Sequence, residues 1–161
     1  MKLFDCTTYY DEELIIDLRL NMLDQYVDKF VICEAKFSHS GRKKELNFDI
    51  SKFSKFKDKI EYVVIDNEPE SLIYENDTKK KETHLNWRLN SVKRIAFQRN
   101  KLFDAVKEIA DENDYIMYSD NDEIPNLDFF DFENNKSKIT IFEQDLFYYK
   151  FNLLCDRIKW Y

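Results

Sequence analysis

Four apolar, β-prone runs, at 2–7, 29–34, 60–65 and 115–118, alternate with stretches of helical spacing, and carboxylates stand at or near their ends: Asp5, Glu34, Asp66 and Asp120. Strands alternating with helices build an α/β layered domain with a mainly parallel central sheet flanked by helices. Ligands of such sheets gather beyond the carboxyl ends of the strands. Polar side chains are therefore expected where a ligand would sit. The 161 residues read as one domain, or part of one, with enough chain for a substantial core.

The fourth run, Tyr115-Ile116-Met117-Tyr118, opens directly onto Asp120, Asp122 and Glu123, with Pro125 as a stop. Carboxylates this close repel one another, and a cation or a change of protonation offsets the cost. Mg²⁺ and Mn²⁺ prefer oxygen ligands and take one or two carboxylates plus substrate phosphates. An isolated Asp-x-Asp is ordinarily a solvated turn; its place at the end of a strand is what favours a metal–diphosphate site. A calcium loop is excluded, because Pro125 stands where that loop requires glycine, and Asp131 stands where it requires glutamate.

Composition removes several mechanisms. With a single glycine, Gly41, the chain holds neither a Walker A loop nor a dinucleotide fingerprint, so a bound nucleotide must be held by side chains and a metal. A net charge of −7 argues against general nucleic-acid binding. The short basic run Lys79-Lys80-Lys81 reads as a solvated loop. Cys6, Cys33 and Cys155 are odd in number and far apart, which fits buried reduced thiols better than disulfides. No signal peptide or membrane-length apolar run is seen, and the expectation is a soluble, cytoplasmic protein.

Leu14, Ile15, Leu18 and Met22 are spaced to share one helical face, and Leu89, Val92, Ala96, Phe103, Val106 and Ala110 define a second, longer helix. Arg99 falls on that second apolar face. It needs a partner there, whether an acid of the motif, a diphosphate or a buried structural carboxylate. The polar stretch 67–86 is long enough for a lid or binding loop. Runs at 139–142 and 147–151 read as one or two further strands.

Four blocks in order resemble glycosyltransferase family 17, the family of the bisecting β-1,4-N-acetylglucosaminyltransferase. They are the opening from Phe4 through Asp5 to Arg19, the segment Val31-Ile32-Cys33-Glu34 with Ser38-His39-Ser40-Gly41, the helical Gln98-Arg99-Asn100, and Ser119-Asp120-Asn121-Asp122-Glu123-Ile124-Pro125. The resemblance implies a nucleotide-sugar transferase fold of the GT-A type, an Asp-x-Asp metal motif and inverting transfer. It also implies a UDP-sugar donor, N-acetylglucosamine being the family's known sugar, and a glycan acceptor. Related transferases carry a further metal ligand, often His, near the C-terminus, whereas both histidines here precede the acidic motif. Family members also continue past the Trp that Trp160 matches, so the acceptor part is expected to be incomplete within these residues.

On this reading Asp120 and Asp122 bind Mn²⁺ or Mg²⁺, with Asp120 alternatively facing the ribose or sugar. Arg99 neutralises the motif or the diphosphate. Glu34 accepts hydrogen bonds from the nucleoside, and His39 and Gly41 shape the neighbouring loop. Glu123 meets a sugar hydroxyl or supports the site. Asp145, before the aromatic run 147–149, is the expected general base, since inversion requires one. A metal-dependent phosphoesterase and a non-catalytic nucleotide-sugar-binding domain are the competing readings.

Overall fold

A computed structural model describes residues 1–75, 83–147 and 152–160. In chain order the elements are β1 (Leu3–Tyr9), α1 (Glu13–Leu23), β2 (Lys29–Ala35), a 3₁₀ segment (Ile50–Phe56), β3 (Ile60–Ile65), α2 (His84–Lys107), β4 (Tyr115–Tyr118), β5 (Gln144–Phe147) and β6 (Leu154–Trp160). The expected α/β class is found. Two compact units divide the chain, Met1–Asp122 and the remainder from Glu123.

The first unit carries a four-stranded sheet in the order β3-β2-β1-β4, parallel throughout. Alternation along β1 decides what each face meets. Phe4 and Cys6 join Val31, Cys33, Ala35, Phe37 and Ile65 in a buried cluster closed by Leu102 and Val106 of α2. Asp5, pointing the other way, meets Arg19 of α1. The two helices thus cover opposite faces of the sheet, as strands buried on both sides require. Connections then run β1 to β2 to β3 in one direction, after which β4 returns to the far side of β1. That reversal, between β1 and β4, is where open α/β sheets leave a crevice.

Both helices are turned from the phase their apolar spacing suggests. In α1 the buried residues are Ile16, Arg19, Leu20 and Leu23; Leu14, Leu18 and Met22 are exposed, Leu14 at 80%. Apolar residues occur on nearly every side of Leu14-Ile15-Ile16-Asp17-Leu18-Arg19-Leu20, so hydrophobicity alone leaves the phase open. The charge of Arg19, paired beneath the helix, sets it. In α2 the buried stripe is Asn90, Arg94, Gln98, Leu102 and Val106, in steps of four. Leu89, Val92 and Phe103 face solvent, while Val106 and Ala110 are in or against the core as expected.

Each polar member of the α2 stripe has a partner. Asn90 exchanges two 2.8 Å hydrogen bonds with the backbone of Ile73. Arg94 Nε donates to Glu68 at 2.5 Å, and its Nη1 donates to the carbonyl of His39. Gln98 meets the ring of His39 at 3.1 Å. Part of the polar stretch 67–86 is therefore tied to α2, whose N-terminus is capped by Thr83 Oγ1 accepting from the N–H of Asn86. Residues 76–82 of that stretch, with the Lys79–Lys81 run, lie outside the described residues.

In the second unit β5 and β6 pair antiparallel, Gln144 opposite Trp160 and Asp145 opposite Lys159. Two corrections apply. Residues 139–142 are irregular rather than a strand, and the pairing strand begins at Gln144. The ring of Phe142 instead packs on Phe130 at 5.4 Å. The run at 147–151 contributes Phe147 as the last residue of β5, and residues 148–151 lie outside the described residues. The three cysteines are free thiols; burial pushes that of Cys33 up to about 12.

Candidate active site

A cleft of about 730 Å³ opens at the carboxyl ends of β1 and β2 and beside the segment that follows β4. This volume is in the range of small-molecule and cofactor sites. Its walls come from Thr8–Tyr10, from Glu12 and Ile15 at the start of α1, from Ala35 and Phe37–Ser40 after β2, from Gln98 and Arg99 of α2, and from Asp120–Asp122. The polypeptide thus delivers its acidic motif to the switch point of its own sheet.

Asp120 and Asp122 are both exposed at the cleft wall. Arg99 Nη2 donates to Asp120 Oδ1 at 3.3 Å, and the guanidinium lies 5.3 Å from the ring centroid of Tyr118. Arg99 is 47% exposed, so among the partners expected for it the structure chooses the motif's own acid, in an open ion pair. Asp122 has no hydrogen bond or ion pair among the described residues.

His39 lines the same cleft, its ring oriented by Gln98. Gly41 stands one step behind. It has φ +80°, and a Cβ there would lie 2.5 Å from Nη2 of Arg94. Glycine is required by the left-handed backbone and by the buried guanidinium pressed against it.

Glu34 is placed differently from its neighbours in the motif list. It is fully buried and accepts from Lys44 Nζ, from the N–H groups of Asn47 (2.8 Å) and Phe48 (3.0 Å), and from Tyr62 Oη (2.7 Å). Burial alone would raise its pKa, but Lys44, the two backbone donors and Tyr62 together hold it below the usual carboxylate value. Phe48, stacked on Phe53 and tilted against Tyr62, closes the compartment. The carboxylate anchors the 44–48 segment from within.

Glu123 and Asp145 belong to the second unit. Glu123 accepts from the indole N–H of Trp160, and Asp145 pairs with Lys159 across β5 and β6 at 2.5 Å.

Several cleft residues had weaker signals in the sequence. Glu12 Oε2 accepts from the N–H groups of Tyr10 and Asp11 and from Asn121 Nδ2 at 2.9 Å, joining the β1–α1 turn to the acidic segment. Burial, with Glu13, Glu34, Glu12 and Asp11 nearby, pushes the Tyr9 hydroxyl up to about 12, so it stays a protonated donor at neutral pH. Arg19, charged within an apolar helix, is buried behind the cleft wall rather than on it, against the carbonyls of Asp120 and Asn121.

Among the described residues no group of three or more His, Cys, Asp or Glu side chains is arranged to hold a metal. Two exposed carboxylates on one short segment nevertheless suit an ion that draws its remaining ligands from phosphate and water, as Mg²⁺ commonly does.

A parallel α/β sheet with a polar cleft at its switch point is the layout of many ligand-binding enzymes, and fold alone does not name the reaction. The chain belongs to glycosyltransferase family 17, whose family model matches residues 1–161. It is a glycosyltransferase, and its substrates are a sugar donor and an acceptor. Membership favours glycosyl transfer over phosphoester hydrolysis. No curated protein and no solved structure matches the chain. No helix among the described residues is long and apolar enough to cross a membrane.

Proposed function

We propose that the chain is an inverting, metal-dependent transferase of the GT-A type that moves N-acetylglucosamine from a UDP-sugar to a glycan. The observation that carries the reading is the placement of Asp120 and Asp122 at a cleft on the β1–β4 switch point. Asp122, with Asp120 directly or through water, would hold Mn²⁺ or Mg²⁺. When bound, such an ion supplies Lewis-acid stabilisation of charge on a departing diphosphate.

The chain's own groups do the rest. Arg99, half exposed beside Asp120, offers a planar cation to the diphosphate. The Tyr9 hydroxyl and the ring of His39 present hydrogen-bonding groups to the nucleoside or sugar. Gly41 and Arg94 hold the His39 loop in place, and Glu34 serves the cleft by fixing the segment that carries Lys44 rather than by direct contact.

Inversion requires a base that takes the acceptor hydroxyl proton as the anomeric carbon is attacked. Asp145 is assigned that role, with Glu123 beside the sugar. Glu12 is the alternative, because it is a carboxylate on the cleft wall itself. Transfer assays with UDP-N-acetylglucosamine and Mn²⁺, alongside calorimetric UDP binding, test the assignment. Replacement of the true base by its amide should lower transfer by about 10²-fold or more while UDP affinity is kept. Binding of UDP–Mn²⁺ without hydrolysis or transfer would make the chain a binding domain instead.

A further inference from the structure

Asp120 and Asp122 are exposed, so burial does not hold their side chains, although Arg99 pairs with Asp120. What is fixed is the backbone between them, and it is fixed from underneath. Arg19 is fully buried and grips Asp5 with two bonds, Nε to Oδ2 at 2.8 Å and Nη2 to Oδ1 at 2.7 Å. Its Nη1 donates to the carbonyls of Asp120 at 2.9 Å and Asn121 at 3.3 Å, and its Nη2 to Ser119 Oγ at 2.8 Å. One guanidinium thus reaches three successive residues of the acidic segment. On the cleft side Glu12 holds the side chain of Asn121.

A buried guanidinium is tolerated only when its charge is matched and its donors are satisfied. Asp5 matches the charge, and the carbonyls and the hydroxyl take donors that the carboxylate leaves over. The rigid planar fork of arginine suits this division; a lysine ammonium does not reproduce it. The pairing also links three elements, since Asp5 lies on β1, Arg19 on α1, and the held segment follows β4.

We propose that the buried Asp5–Arg19 pair is a positioning device, with Arg19 the positioning residue that aims Asp120 and Asp122 into the cleft for the donor's metal–diphosphate. This rests on the donor-site reading above. Supports behind metal ligands commonly govern affinity about 10- to 100-fold when removed, and the same range is expected here.

The test replaces the whole pair, Asp5→Leu with Arg19→Met, because apolar residues of similar volume often substitute for a buried ion pair without loss of stability. Three quantities are read on the purified chain: thermal midpoint, amide hydrogen exchange at 119–122 without ligand, and UDP affinity in Mn²⁺ by calorimetry. The expected result is a midpoint near that of the parent, faster exchange at 119–122, and UDP affinity at least tenfold weaker. A folded double variant with parental exchange and affinity would overturn the proposal. Should the double variant not fold, Arg19→Lys carries the same readouts with the same two outcomes. Asp122→Ala separates the failures: if it loses UDP while the pair variant does not, only the positioning role falls. If Asp122→Ala retains UDP, the donor-site reading fails, and the positioning role goes with it.

Discussion

Strands β2 and β4 flank β1 and both lead into acid, yet the two acidic regions have opposite fates. Glu34 is sealed beneath Phe48 and Tyr62 with four donors on its oxygens. Asp120 and Asp122 face a cleft, one sharing an open pair with Arg99 and the other unpartnered among the described residues. The difference lies in the chain that follows. After β2 the segment 44–48 folds back and supplies Lys44 and two backbone N–H groups to the carboxylate. After β4 the backbone is held by its carbonyls, through Arg19, and the side chains turn outward, that of Asp120 onto Arg99. A strand-end acid becomes structural when its carboxylate is enclosed and satisfied from within, and accessible to a ligand when its backbone is what the interior holds and its carboxylate stays at the surface.

Substitutions at the two regions should therefore separate binding from stability. The largest effect is expected from Asp122→Ala, which should remove measurable Mn²⁺-dependent UDP binding with little change in urea stability. Glu34→Gln should do the reverse. It leaves Lys44 beside an amide in a buried site, and breaking such a pair costs about 3 kcal/mol, read as a lower urea midpoint, while the folded fraction binds UDP as before. UDP binding lost at unchanged stability in Glu34→Gln would break the comparison.

Acid titration sharpens it. The folded-state pKa of Glu34 lies below its ordinary 4.5, so its stabilisation is fully present above pH 4.5 and is lost as pH falls through the depressed value. The stability gap between the parent and Glu34→Gln should narrow on that descent. A gap that stayed constant to low pH would show that ionised Glu34 is not what the donors stabilise.

Gly41→Ala is expected to cost about 2 kcal/mol, from the left-handed backbone and the Arg94 contact, and thermal melting checks it. Smallest is Arg99→Ala. An exposed ion pair contributes about 1 kcal/mol or less to stability, so the melting curve should barely move while UDP affinity falls. A large drop in stability would make Arg99 part of the scaffold.

The strands and their acidic ends were legible because β-prone apolar runs bounded by polar residues have few alternatives. The resemblance implied roles for His39, Arg99, Asp120 and Asp122, but their meeting at one cleft depends on strand order, which the structure supplies. Helix phase was not legible. Asn90, Arg94 and Gln98 lie off the face that the apolar spacing picks out, yet they are the buried ones, each admitted by a partner far away in sequence. Arg19 is buried for the same reason. Such pairings are non-local, so no window on one helix contains them. The same holds for Glu34, whose burial depends on a segment ten or more residues further along.

The inward face of α2 ties surface loops to particular helical positions: the turn at 73 to Asn90, the bend at 39–41 to Arg94, and the imidazole of His39 to Gln98. Transplanting a rim loop from a relative would strand a donor or acceptor in the interior unless the matching helix residue travelled with it. Remodelling of substrate preference should accordingly proceed by paired exchanges, loop together with spine.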